Sequence, residues 1–98
     1  MDTYEVLVAP SALDAILAIT SKAELRNVCS RLNALATMPH LGTRYDPLYE
    51  SARPAHDVLV TFTSYHGLYY VVDDTLRTVN VEYVEDCRRD PLTKFSQR

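Results

Sequence analysis

Leu35-Ala36-Thr37-Met38-Pro39-His40-Leu41-Gly42-Thr43-Arg44-Tyr45 is the stretch at which this chain changes character. Before it the apolar residues recur with helical spacing; after it they alternate. Pro39 cannot continue a helix, and Gly42 lets the chain turn. The stretch therefore ends one structural regime and begins another.

On its N-terminal side, Leu25, Val28, Leu32 and Leu35 are spaced three, four and three apart, one stripe of an amphipathic helix. Ser21 and Glu24 make a capping-box pattern at its start. Arg26, Arg31 and Asn33 fall off the stripe and are expected to face water. A shorter helix precedes it, with Ser11 as its cap and Leu13, Ile16, Leu17 and Thr20 on one side. Thr3 to Ala9 reads as a strand with Tyr4, Val6 and Val8 on one face. Leu7 and Ala9 make its other face apolar too, which predicts a central strand. Two helices with almost no linker are expected to form an antiparallel hairpin.

On the C-terminal side, residues 39–57 read as an irregular loop, with Tyr45, Leu48 and Tyr49 pinning part of it. Val58 to Thr63 then alternates, with Val58, Val60 and Phe62 on one face. Ser64-Tyr65-His66-Gly67 reads as a turn, Leu68 to Asp73 as a strand, and Asp73-Asp74-Thr75 as a second turn. Arg77 to Tyr83 reads as a third strand with Val79, Val81 and Tyr83 toward the core. Glu85 to Arg98 reads as a polar tail. The expected fold is α+β: one strand, a two-helix hairpin, then a three-strand antiparallel meander. The first strand enters the sheet through the helical crossover, giving one mixed sheet with the helices packed on it.

The chain has 98 residues, read as a single domain over 1–98, with 47% hydrophobic residues and a net charge of −3. That charge excludes bulk electrostatic attraction as the basis of nucleic-acid binding; any such contact needs a local basic cluster. No apolar run approaches the ~20 residues of a membrane span, and no signal-peptide pattern is visible. Cytoplasm is the expected location, and Cys29 and Cys87 are expected to be free thiols. His40, His56 and His66 do not form a metal-ligand spacing, and Gly42 and Gly67 do not make a phosphate loop. No cofactor is expected.

With its order of elements on the page, the chain resembles the RelE/ParE superfamily, toxins of bacterial type II toxin–antitoxin modules. The resemblance covers nearly the whole chain. It rests on Leu35, Pro39 and Gly42 at the helix end, on Gly67 to Asp74 (GLYYVVDD), and on Thr78 to Val84 (TVNVEYV) leading to Arg88-Arg89-Asp90-Pro91. It implies a compact α+β toxin fold and a cognate antitoxin protein as partner. It also implies one of two targets: messenger RNA on the ribosome, cut by a metal-independent endoribonuclease, or DNA gyrase, inhibited by protein contact. A degenerate, non-catalytic binding module is the third alternative. Assembly as a homodimer or as a toxin–antitoxin hetero-oligomer stays open.

Cleavage by a 2′-hydroxyl needs a base, cations for the developing charge, and an acid for the leaving oxygen. The candidates for that chemistry are His66, Arg88 and Arg89, with Arg53, His56 and Tyr65 binding substrate. For His66 the competing reading is a turn histidine in solvent. For Arg88 and Arg89 it is pairing with Glu85, Asp86 and Asp90. The chain departs from the ribonuclease pattern in two places: Val58 to Thr63 has no Lys, Arg or His, and Gly67 stands where many members carry an arginine.

Overall fold

The computed structural model describes residues 3–45 and 57–87. β1 (Glu5–Val8), α1 (Pro10–Leu17), α2 (Lys22–Thr37), β2 (Thr43–Arg44), β3 (Leu59–Phe62), β4 (His66–Asp73) and β5 (Thr78–Asp86) follow in chain order. The strands form one sheet in the order β1-β5-β4-β3-β2. β1 runs parallel to β5, and the other neighbouring pairs are antiparallel. The mixed sheet, the helical crossover and the meander are thus as the alternation of residues predicts.

The core lies between the helices and one face of the sheet. Val28 and Leu35 of α2 and Ala12 and Ile16 of α1 meet Leu68, Tyr70, Val79, Val81 and Val84 of the sheet. Leu25 and Leu32 are half-buried against this cluster, so the α2 stripe packs as its spacing requires. Ser21 caps α2: its Oγ accepts from the Glu24 N–H at 3.2 Å.

Several expectations are corrected by the structure. β1 is an edge strand, and Leu7 is 41% exposed. Its apolar second face is simply open, because the helices cover only one side of the sheet. α1 starts at Pro10 after Ala9, with no side-chain cap. Ser11 instead donates its hydroxyl to the Glu82 carbonyl at 3.3 Å. The helix buries Ala12 and Ile16 while Leu13 and Leu17 stay exposed.

The junction also contains a strand that periodicity could not reveal, because Thr43 and Arg44 alone pair with Val60 and Leu59. Two residues carry no period. The Ser64–Gly67 turn is shorter than read: β4 already begins at His66. β5 likewise continues through Asp86, so Glu85 and Asp86 are strand rather than tail.

The last correction matters most. Tyr69 pairs with Tyr83, but Tyr70 pairs with Val81, so Glu82 is an extra residue on β5. This β-bulge inverts the alternation beyond it. Tyr83 leaves the core side and is 51% exposed, while Val84 is buried in its place.

Candidate functional site

Directly opposed residues of an antiparallel pair share a face. The register therefore places Val60, Phe62, Gly67, Tyr69, Tyr83 and Glu85 together on the face turned away from the helices. Tyr45, just after β2, joins them. Its ring meets Tyr69 edge-on at 5.3 Å, and Tyr69 meets Tyr83 at 5.8 Å with a 49° tilt. The result is an aromatic surface in which Phe62, Tyr83 and Tyr45 are 52%, 51% and 38% exposed. Tyr69 donates its hydroxyl to Glu85 Oε1 at 3.3 Å. Burial, and after it the neighbouring Cys87, Tyr45 and Tyr83, raise the pKa of Tyr69 above the ordinary value of 10.0. Its phenol is protonated at neutral pH.

Gly67 lies against two of these rings. A Cβ there would lie 3.0 Å from the Phe62 ring and 3.4 Å from the Tyr69 ring. The described residues of β3, β4 and β5 that share this face include no Lys, Arg or His.

His66 lies on the opposite face, 4% exposed, with Glu24 at 1%. Its Nδ1 sits 2.6 Å from Glu24 Oε2. An ionised carboxylate can only accept, so Nδ1 carries the proton. The same oxygen accepts from the Thr63 hydroxyl at 2.7 Å and the Tyr65 N–H at 2.9 Å, and Oε1 accepts from Asn27 at 3.3 Å. Burial pushes the Glu24 pKa up, but the bonds from His66, Thr63, Tyr65 and Asn27 outweigh it and leave the group below 4.5. The sequence offers His66 as an acid–base group or as a turn histidine in solvent; the structure buries it, where it joins the start of α2 to the β3–β4 turn. Glu24 does not close the capping box; its side chain is spent on this cluster.

Tyr65 is exposed at the turn. Arg53, His56, Arg88 and Arg89 lie outside the described residues, as do Leu48 and Tyr49. The structure thus brings Tyr65 and His66 together through Glu24, with His66 facing inward. Arg31 was expected in water but is half-buried, its Nη1 donating to Thr61 Oγ1 at 2.6 Å. Arg44 pairs with Asp57 at 3.2 Å on the surface. His40 reaches Asp74 at 3.2 Å, and Tyr4 donates to the same oxygen at 2.6 Å. Cys29 and Cys87 are free and exposed. Burial, then Asp86 and Glu24, raise the Cys87 thiol above its ordinary pKa, which makes it a poor nucleophile.

The aromatic surface is what residue-by-residue reading missed. Phe62 was visible as an alternating residue, but Tyr83 reaches this face only through the bulge. No helix among the described residues is long and apolar enough to cross a membrane.

No protein-family model matches the sequence, and no curated protein matches it. Solved structures do. The archaeal RelE–RelB complex from Pyrococcus horikoshii OT3 matches with a TM-score of 0.71 at 14% identity, over 92% of this chain and 100% of the matched chain. The Mycobacterium tuberculosis RelBE2 toxin–antitoxin complex matches with a TM-score of 0.66 at 20% identity, over 86% of this chain and 98% of the other. The isolated E. coli RelE toxin matches with a TM-score of 0.63 at 17% identity, over 96% and 95%. The class is an α+β fold with helices on one face of a mixed sheet. Within that class, the chain has the fold of the RelE toxins.

Proposed function

We propose that this chain is the toxin of a toxin–antitoxin pair, that a cognate antitoxin is its partner, and that it arrests growth by cutting messenger RNA at the ribosome. The observation that carries this reading is the likeness of nearly the whole chain to RelE structures, two of them complexes with an antitoxin. The aromatic face supports the RNA part. Exposed rings on a sheet provide stacking surfaces for unpaired bases, each worth about 1–3 kcal/mol.

The roles divide as follows. Tyr45, Phe62, Tyr69 and Tyr83 hold bases. Arg88 and Arg89 supply the positive charge that the strands of this face lack, with Arg53 and His56 binding substrate. Tyr69, protonated at neutral pH, can donate a proton but is unsuited to remove one. His66 holds the turn that carries Tyr65.

The test is induction of the chain in a bacterial host, with and without the product of a short neighbouring open reading frame. Arrest that this product relieves, together with new 5′ ends within translated messages by primer extension, is the expected result. Arrest with intact messages overturns the cleavage step. Unimpaired growth overturns the toxin reading.

A further inference from the structure

The two edges of the sheet are not alike. β2 closes one side after only two residues, and its Arg44 is paired with Asp57. β1 closes the other side with four residues, Glu-Val-Leu-Val. It holds no proline, lysine or bulge, the devices that usually protect an edge. Glu5 and Ala9 send their N–H groups inward to the Arg77 and Val81 carbonyls, both at 2.9 Å. Alternation then points the backbone groups of Val6 and Val8 outward, where the described sheet has no further strand. This stretch is bounded at both ends. The Tyr4 N–H is already bonded to the Ala36 carbonyl at 2.7 Å, and Pro10 has no N–H to offer. Val6 and Val8 pack their side chains on the core, while Leu7 stands exposed.

An unpaired edge binds an extended segment through main-chain bonds, and the opposed side chains select which segment. Charge selects the occupant here. The described residues of β1, of β5 and of the turn before β5 hold Glu5, Asp74, Glu82, Glu85 and Asp86 against the single cation Arg77. Glu5 and Glu82 are exposed, and neither enters an ion pair among the described residues. A second copy of β1 would bring the same carboxylates to this edge, so charge opposes self-pairing. We propose that β1 adds an extended, basic segment of a partner protein as a further antiparallel strand. Over so short an edge this direction is favoured, because Val6 and Val8 each exchange both bonds with one opposing residue. Apolar residues of the partner then face Val8, Leu7 and Val6 in turn, and a Lys or Arg faces Glu5. The edge is open whatever the aromatic face does, so this reading does not rest on toxicity.

The test is titration of the purified full chain with a capped peptide, Ser-Lys-Val-Leu-Val-Lys-Ser, followed by amide NMR shifts and hydrogen exchange. The expected result is saturable shifts at residues 4–9 and the adjoining part of β5, with slowed exchange of the Val6 and Val8 amides. N-methylation of the peptide's valines removes main-chain bonds but keeps its charge and side chains. It should weaken binding at least about tenfold. Exchanging the peptide's lysines for glutamates should weaken binding about threefold or more, the scale of exposed ion pairs. Glu5→Lys, at an exposed position where folding is insensitive, should abolish that preference. Absence of saturable shifts at β1, full affinity of the N-methylated peptide, equal affinity of the lysine and glutamate peptides, or an unchanged preference in Glu5→Lys overturns the proposal. Dimerisation of the free chain by sedimentation, with the Val6 and Val8 amides protected, assigns the edge to a second copy and overturns it as well.

Discussion

Glu24 and His66 are the residues on which the turn before β4 depends. Removing one partner of a buried pair leaves the other uncompensated, so Glu24→Ala should lose about 3 kcal/mol or more in urea unfolding. A loss within 1 kcal/mol, on the order of a single neutral hydrogen bond, would contradict the role assigned to the pair. The pH dependence has a definite sign. Glu24 titrates lower in the folded chain than its ordinary 4.5, so it adds stability that is complete above that value. The contribution is lost as the pH falls through the folded pKa. The melting temperature should drop below pH 4.5 more steeply in the wild type than in Glu24→Gln, measured across an acid series. Ser21 and Glu24 were legible as a helix start because capping is local. The partner forty-two residues away was not legible, because nothing near His66 in the chain specifies a carboxylate.

At the scale of elements, the junction and the bulge decide where side chains go. Gly42 donates its N–H to the Tyr70 hydroxyl at 2.8 Å. A Cβ there would lie 2.6 Å from the Val60 carbonyl oxygen and 2.7 Å from the Tyr70 hydroxyl. The glycine read from the sequence as a turn residue is therefore required for the close approach of β2 to β3. Gly42→Ala should cost about 1–3 kcal/mol, because the obstacle is backbone that cannot swing aside. The bulge makes a sharper prediction. Without it Tyr83 would be core and Val84 surface. With it, Val84→Ala should cost about 2 kcal/mol. Tyr83→Ala should cost about 1 kcal/mol or less despite its larger side chain. Denaturant midpoints in the reverse order would show that β5 pairs without the bulge. A bulge arises from pairing between two strands, which is why the alternation of β5 alone points Tyr83 the wrong way.

For the whole molecule, one face of the sheet is sealed by helices and the other presents rings. This asymmetry separates stability from function. Tyr83→Ala should remove much of the growth arrest on induction while leaving the fold intact by circular dichroism. Full arrest by that variant would detach the aromatic face from toxicity. Sequence by itself determined the order of the elements other than β2, the α2 stripe, the meander and the entry of the first strand into a mixed sheet. Those follow from periodicity and from connection lengths, which are local or nearly so. Only the tertiary structure decided that β1 is an edge, that His66 is buried on Glu24, and that Arg31 bonds Thr61. It alone assembled Tyr45, Phe62, Tyr69 and Tyr83 on one face. Each of these depends on register and on which side the helices cover. Such long-range pairings leave no period in the chain. Leu35 to Tyr45 marks where the helices stop, but the sheet across from it decides what Gly42 must be.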